Sequence, residues 1–246
     1  MKKYPKEYSI FIPAYNEEKI IEDSIRLAYD FIELIEYSTG MSIQLIILDD
    51  GSTDETYMRI VELSEELPIM VIREKGPSRR ENLIKHMIKS DSLYVGFMDC
   101  DLATELYDLF PLMENIKHYD IVTGSRYMAC SKIERLWSRR IISFLFNNGL
   151  KILFGSKIRD HECGFKMWKT RKLREIVKHT GYGKAYKDRK MFWDSEMWIY
   201  AQKLNMSFLE IPIVWHEGGK SALRFRTELP MIKYILRLRW KLWNIK

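Results

Sequence analysis

Several features are scarce or missing in this 246-residue sequence, and each absence excludes a class of protein. Its three cysteines, Cys100, Cys130 and Cys163, are too widely spaced for a zinc site and cannot all pair, so we expect a reducing, intracellular compartment. With 12 glycines and 7 prolines, the chain is neither collagen-like nor low in complexity. No run reaches the ~18 uninterrupted apolar residues of a membrane span. The basic start, followed by a short apolar stretch broken at Pro13, does not predict a signal peptide.

Three common ligand-binding signatures are missing as well. The chain contains neither G-x-G-x-x-G nor G-x-x-x-x-G-K-[ST], so neither a Rossmann dinucleotide site nor a P-loop is supported. The acidic stretch that begins at Asp49 lacks the ligand spacing and the distal Glu of a calcium loop. The composition, 46% apolar and 30% charged, predicts one large globular domain with a sizeable core.

Positive charge is concentrated in two segments. The net charge is +6, yet residues 220–246 carry eight Lys or Arg and one Glu, and residues 132–159 carry seven and one. Both segments are rich in Trp, Phe, Leu and Ile, which suits nucleic acid or an anionic membrane surface. A nucleic-acid partner leaves unexplained the carboxylates described below, which repel phosphates unless a metal is bound. We therefore expect an anionic membrane surface and no nucleic acid as a partner.

The first half of the chain alternates apolar runs with helical patterns, which predicts an α/β fold with a parallel sheet. The predicted strands are residues 8–13, 43–49, 69–73, 93–98 and 120–124. A capping-box pattern from Ser52 to Glu55 predicts the start of a second helix, with Ile60 and Val61 facing inward. Residues 17–36 predict a first helix, whose inward face carries Ile21, Ile25, Ala28, Ile32 and Ile35.

The second half predicts longer helices. Residues 132–154 and 194–203 have helical patterns, and residues 208–214 form another apolar run. A basic amphipathic helix is predicted at the C-terminal end, with Lys233, Arg237 and Lys241 on one stripe beside a wide apolar arc. This organisation indicates a nucleotide-type half followed by a half that shapes an acceptor site.

Three predicted strands end in polar clusters: IPAYNE from Ile12, LDDGSTD from Leu48 and MDCDL from Met98. Ligands of α/β sheets bind at the carboxyl ends of the strands. Paired carboxylates there repel one another unless a cation, a base or hydrogen-bond donors lie between them. Asp99 and Asp101 therefore fit a Mg²⁺ or Mn²⁺ site that would bridge to a substrate diphosphate, although an isolated pair of this kind also suits a solvated turn.

In chain order, these clusters resemble the motifs of family 2 glycosyltransferases with the GT-A fold. Four later motifs resemble the branch that charges dolichyl or other polyprenyl phosphates with a sugar: GSRY from Gly124, IRDHECGFK from Ile158, WDSE from Trp193 and GGKS from Gly218. The IRD-x-x-CGFK and DLAT stretches are most similar to dolichyl-phosphate beta-glucosyltransferases. The resemblance runs from about residue 9 to residue 243.

The resemblance implies a single GT-A catalytic domain over residues 1–246, with a mostly parallel central sheet flanked by helices and an amphipathic C-terminal helix. Its nucleotide-sugar half would span about 1–125, its acceptor half 126–219 and its basic tail 220–246. The implied activity is inverting transfer of one hexose, glucose from UDP-glucose, to dolichyl or polyprenyl phosphate by a peripheral protein at the cytoplasmic membrane face. The alternatives are a GDP-mannose donor, a soluble sugar acceptor, or a non-catalytic nucleotide- or nucleic-acid-binding protein.

The resemblance also implies roles for individual residues. The nucleotide-sugar site would comprise Pro13, Tyr15, Glu17, Leu48, Asp50, Asp99, Cys100 and Lys220. Within it, Leu48 and Asp50 would contact the base, Cys100 the ribose, and Asp101 the metal, Mg²⁺ or Mn²⁺.

Two departures from the family's patterns matter for this assignment. Ala103 stands where the mannose synthases carry a metal-ligating Gln, so Asp194 or water would supply the third ligand. Leu236 stands at the first position of the processive signature [QR]-x-x-R-W, which favours a single transfer over polymer synthesis.

The reaction itself assigns the remaining candidates. A leaving diphosphate needs positive charge, for which Asp101 with its metal, Arg126 and Lys220 are the candidates. A lipid phosphate is already an anion and needs positioning rather than a base. Arg139 and Arg140, which precede the apolar run 141–146, would hold it, unless they face solvent on a basic helix. Asp194 remains open as a base, a metal anchor or a helix N-cap.

Overall fold

The computed structural model describes residues 6–78, 80–134, 137–180, 182, 189, 192–216 and 229–243, with only the backbone for 137–139, 229, 230 and 243. A seven-stranded sheet in the order β3-β2-β1-β4-β7-β5-β8 forms its centre. The strands are β1 Tyr8–Ala14, β2 Ile43–Asp49, β3 Met70–Arg73, β4 Tyr94–Met98, β5 Ile121–Ser125, β7 Phe165–Lys169 and β8 Phe208–Pro212. A separate parallel pair consists of β6 Lys132–Glu134 and β9 Val214–His216.

The mostly parallel sheet is confirmed, and each of the five predicted strands lies within one residue of its expected bounds. Among the described strands of this sheet, β7 alone runs antiparallel, and it is inserted between β4 and β5. This strand is absent from the sequence prediction, because lysines at positions 166 and 169 interrupt its apolar pattern. In the fold, Lys166 is nevertheless buried.

Helices cover both faces of the sheet. They are α1 Ile21–Thr39, α2 Thr56–Glu66, α3 Glu81–Met87, α4 Leu109–Asn115, α5 Trp137–Phe154, α6 Thr170–Thr180, α7 Trp193–Lys203 and α8 Leu229–Trp243. All five residues of the predicted inward face of α1 are buried, and they pack with Ile10 and Ile12 of β1. Phe11 points to the opposite face, where Trp168 and Trp193 lie. A strand buried on both faces is typical of a parallel sheet between helical layers.

Two local predictions are wrong. The predicted capping box does not form: Glu55 precedes α2 without a side-chain cap, and the Ser52 hydroxyl accepts the Asn16 N–H at 3.0 Å instead. The predicted helix 132–154 begins only at Trp137, because residues 132–134 pair with β9. In both cases a partner distant in the chain outweighs the local pattern.

Helices α5 and α8 both leave several large apolar side chains in solvent. On α8 the predicted apolar arc divides: Ile235, Leu238 and Leu242 are buried, whereas Ile232 and Leu236 are exposed. Outside the predicted arc, Tyr234 is buried and Trp240 is exposed. On α5, five apolar residues are between 49% and 83% exposed: Ile141, Ile142, Phe144, Leu145 and Ile152. In the described part of the chain, no helix is both long enough and apolar enough to cross a membrane.

Candidate active site

The polar clusters predicted at strand ends meet at one edge of the sheet. Strands β1, β2 and β4 are parallel, so their carboxyl ends lie together. Met98, the last residue of β4, lies opposite Phe165, the first residue of β7. Gly164, which directly precedes β7, therefore lies beside Asp99. A side chain at Gly164 would overlap the Asp99 carboxylate, which explains the glycine at this position.

Hydrogen bonds join the loops that follow β1 and β2. The Glu17 N–H donates to the Thr56 hydroxyl at 2.8 Å, and the Thr53 N–H donates to the Asn16 side-chain oxygen at 2.9 Å. Gly51 has φ +81°, and a Cβ there would collide with the backbone of Gly76. The two loops thus form one fixed wall of the site.

Asp50 faces the segment that follows β3. Its carboxylate accepts hydrogen bonds from the Ser78 N–H at 2.7 Å and from the Asn82 side-chain amide at 2.5 Å. Burial raises its pKa despite these donors. Of the other residues predicted to bind nucleotide, Pro13 is half-buried, Tyr15 is 42% exposed, and Leu48 lies in the core beneath the loop. Lys220 lies outside the described residues.

At the centre of this edge, the carboxylate of Asp101 interacts electrostatically with those of Glu17 and Asp99. Loss of solvent raises the pKa of Glu17, and the charges of Asp101 and Asp54 raise it further. The pKa of Asp101 is also raised, mainly by loss of solvent and to a lesser extent by the charge of Asp99. Cys100, between the two aspartates, is buried. A cation at this position would relieve the mutual repulsion.

The donor set fits a Mg²⁺ or Mn²⁺ ion that is completed by substrate. The Asp101 carboxylate accepts the Ala103 N–H at 3.1 Å, which orients it beside Asp99. Within the described residues, no three His, Cys, Asp or Glu side chains form a metal-binding group by themselves. Mg²⁺ commonly uses one or two carboxylates and takes its other ligands from water and substrate phosphates.

Asp194 lies in the first turn of α7, in a buried ion pair. Its carboxylate lies 2.5 Å from the Lys166 ammonium, and the two side chains are 3% and 1% exposed. Phe192, not Asp194, occupies the N-cap position, so the interpretation of Asp194 as a cap is wrong. The side chain turns toward β7 because a buried cation is there to neutralise it. Lys166 belongs to the IRDHECGFK motif, but its role depends on a strand that the pattern did not predict.

Arg80 is a site residue that sequence reasoning missed. It precedes α3, donates a 2.9 Å hydrogen bond to Asp99 and lies 3.8 Å from Asp194. Its guanidinium lies over the Phe97 ring at 4.6 Å. The loop sequence around it contains no signal for such a role, since both carboxylates are distant in the chain.

Glu162 is a second missed residue. It accepts a hydrogen bond from the Ser195 hydroxyl, beside Asp194. Burial, and secondly the charge of Asp194, raise the pKa of Glu162 to about 7. A carboxyl group whose pKa is close to neutral pH therefore lies at the edge of the site.

Arg126 follows β5 and forms a bidentate ion pair with the buried Asp160, at 2.7 and 2.8 Å. Burial would raise the pKa of Asp160, but Arg126 outweighs it and lowers that pKa. Arg126 also lines a cavity of about 490 Å³, together with Tyr127, Ser131, Ile133, Arg140, Ile141 and Phe144. Arg140 is exposed on α5, and the side chain of Arg139 lies outside the described residues.

Residues 160–164 connect this cavity to the carboxylate cluster. At one end of the loop Asp160 binds Arg126, and at the other end Gly164 lies against Asp99. The structure thus brings together Glu17, Asp99, Asp101 and Asp194 on one side, and Arg126 and Arg140 on the other. This arrangement can hold an anion–metal pair and a second anion with an apolar tail.

Comparisons with known proteins show which family and which relatives this chain resembles. The profile of Glycosyl transferase family 2 matches residues 9–177. The chain is 29% identical to glycosyltransferase AglD of Haloferax volcanii, over 96% of this chain but 37% of that protein. It is 30% identical to a dolichyl-phosphate beta-glucosyltransferase of Dictyostelium discoideum, over 97% of this chain and 76% of that protein.

A solved structure shares the fold. Mannosyltransferase PcManGT from Pyrobaculum calidifontis, in complex with GDP-Man and Mn²⁺, matches with a TM-score of 0.57 at 17% identity, over 89% of this chain and 59% of that one. The GT-A fold expected from the sequence is confirmed.

Proposed function

Because the chain belongs to glycosyltransferase family 2, we propose that it transfers one hexose, with inversion, from a nucleotide diphosphate sugar to dolichyl or polyprenyl phosphate. The loop 160–164 carries this proposal. It joins Asp99, where a diphosphate and its metal would bind, to Arg126 and the cationic, apolar cavity. A donor site and a lipid-phosphate site then lie within one loop length of each other.

UDP-glucose is the proposed donor. The name of the Dictyostelium relative supports glucose and a dolichyl phosphate acceptor, and the length of the match supports the comparison. Pro13, Tyr15, Glu17 and Asp50 would line the nucleotide pocket on the joined β1 and β2 loops. Asp50, held by Ser78 and Asn82, would present a fixed acceptor to the base.

Asp101 and Asp99 would hold Mg²⁺ or Mn²⁺. When bound, the metal neutralises the charge that develops on the leaving diphosphate. The solved relative that contains Mn²⁺ and a nucleotide sugar supports this assignment. The residues themselves orient the donor: Ala103 fixes the Asp101 carboxylate, and the left-handed backbone at Leu102, φ +47°, makes the tight turn after it.

The acceptor phosphate would bind at Arg139 and Arg140 on α5, beside the cavity that Arg126, paired with Asp160, also lines. Ile141 and Phe144 continue the cavity as apolar wall, and the exposed apolar face of α5 follows. An anionic head group with an isoprenoid tail matches this sequence of cationic and apolar surface. Because a lipid phosphate attacks as an anion, no general base is required. Asp194, neutralised by Lys166, would act as a positioning residue.

We place the protein peripherally at the cytoplasmic membrane face. The exposed apolar residues of α5 and α8 belong to the two basic segments of the chain. Apolar insertion and attraction of Lys and Arg to anionic lipids add to each other at such a surface, at ~1 kcal/mol per cation. This would bring the enzyme to an acceptor that resides in the bilayer.

A donor panel tests the proposal. The purified chain is incubated with UDP-glucose, UDP-N-acetylglucosamine or GDP-mannose, with Mg²⁺ or Mn²⁺ and a short polyprenyl phosphate. We expect a glycolipid from UDP-glucose, none from the unphosphorylated polyprenol, and a loss of ~10²-fold or more in Asp101→Ala. Asp30→Ala, on the exposed face of α1, is the matched control. Transfer to a soluble sugar but not to the lipid phosphate would contradict the acceptor assignment. A glycolipid formed from GDP-mannose instead of UDP-glucose would contradict the donor assignment.

A further inference from the structure

Arg80 links two parts of the site that come from distant parts of the chain. Its guanidinium donates to Asp99 after β4 and lies 3.8 Å from Asp194 at the start of α7. The side chain is only 17% exposed, and Phe97 supports its flat face from below. Arginine is suited to this position, because its planar fork can serve two carboxylates at once.

The backbone at Arg80 adopts an unfavourable conformation, which points to a functional role for this residue. Its φ is +81°, in the left-handed region that a non-glycine residue adopts only at an energetic cost. Such conformations persist where the surrounding structure determines them, and they concentrate at functional sites. Arg80 combines this backbone conformation with side-chain contacts to the carboxylates of Asp99 and Asp194.

Asp99 is engaged by the protein on both sides. Arg80 binds one of its oxygens at 2.9 Å, and the other lies against Gly164. Asp101, by contrast, is bound through one oxygen by the Ala103 N–H. A neighbouring guanidinium and a metal ion compete for the charge of the same carboxylate.

From this arrangement, and building on the proposed function, we propose that Arg80 is a positioning residue. It contacts both Asp99 and Asp194, and so fixes the loop after β4, where the donor would bind, relative to α7. It also supplies the positive charge that neutralises Asp99. The metal ion is then held chiefly by Asp101. Loss of Arg80 would therefore free Asp99 for the metal while it loosens the geometry of transfer.

Loss of Arg80 should therefore raise the affinity for the metal ion and lower the rate of transfer, and both quantities can be measured. Mn²⁺ binding is measured on the free protein from the electron paramagnetic resonance signal of unbound Mn²⁺, without any donor. We expect Arg80→Met to bind Mn²⁺ about tenfold more tightly, because one cation has left the neighbourhood. Its kcat should fall by about 10²-fold, with a smaller change in donor KM, because the groups are no longer aligned.

Arg80→Lys separates charge from geometry. Lysine keeps the charge but cannot bridge two carboxylates. We expect wild-type Mn²⁺ affinity with a kcat that is still reduced by at least about tenfold. Arg26→Met is the matched control, since Arg26 also binds two carboxylates, Glu22 and Glu66, but on the surface of α1. It should change neither quantity.

Unchanged or weaker Mn²⁺ binding in folded Arg80→Met would overturn the proposal, and so would full activity in Arg80→Lys. If Arg80→Met does not fold, Arg80→Lys decides by itself. The outcome is independent of the donor panel, because Mn²⁺ binding needs no sugar transfer. A wild-type protein that binds Mn²⁺ but makes no glycolipid contradicts the proposed function and leaves the Arg80 test intact.

Discussion

The ion pair between Lys166 and Asp194 makes a quantitative prediction about stability. In Lys166→Met, the Asp194 carboxylate stays 3% exposed and loses the ammonium at 2.5 Å, with Arg80 left at 3.8 Å. Removal of one partner of a buried pair costs about 3–5 kcal/mol, because the remaining charge is uncompensated. For a chain of this size, each kcal/mol corresponds to roughly 2–4 °C, so we expect Tm to fall by roughly 6–20 °C.

Denaturant unfolding of four proteins measures the coupling: wild type, Lys166→Met, Asp194→Asn and the double variant. The double variant contains no unpaired charge at this position, so it should regain about 1–3 kcal/mol relative to the sum of the single losses. Lys117→Met is the matched control. Lys117 pairs with Glu114 at 2.8 Å on the surface, and its loss should cost less than about 1 kcal/mol.

Two results would refute this reasoning. One is a loss in Lys166→Met as small as that in Lys117→Met, which would mean that water reaches Asp194. The other is strict additivity in the cycle, which would mean that the two side chains stabilise the fold independently.

Three further predictions concern the acceptor, the membrane and pH. Arg139→Ala combined with Arg140→Ala should raise the acceptor KM and leave the donor KM nearly unchanged; equal weakening of both in steady-state kinetics would assign these arginines to the donor. The protein should sediment with anionic liposomes at low salt and be released near ~0.5 M salt. Serine at Ile141, Leu145 and Ile152 of α5 should abolish sedimentation, whereas serine at Leu27 and Leu34 of α1, which are also exposed, should not. Because the pKa of Glu162 is raised from 4.5 to about 7, the folded state holds its proton more tightly than the unfolded state, so stability should fall as pH rises between these values. Glu162→Gln should lose less stability than the wild type between pH 5 and pH 8, as measured by the free energy of unfolding in urea at the two pH values. An equal loss in both proteins would contradict this assignment.

Local sequence patterns correctly predict the strands of the first half and the inward face of α1. Both follow from local periodicity, since the alternation of a strand and the 3.6-residue repeat of a helix are written in neighbouring residues. The polar clusters at the ends of β1, β2 and β4 were equally visible, because carboxyl ends of parallel strands must share an edge. The position of the candidate site followed from this rule.

The pairing of charges within that site, by contrast, depends on how distant parts of the chain pack together. Arg80, which follows β3, meets Asp99 after β4 and Asp194 on α7. Lys166 meets Asp194 because β7 is inserted antiparallel beside β4, with Met98 opposite Phe165. The same long-range pairing took residues 132–134 out of the predicted helix and gave them to β9. Buried ion pairs depend on which distant groups lose water together, and no pattern of neighbouring residues records that.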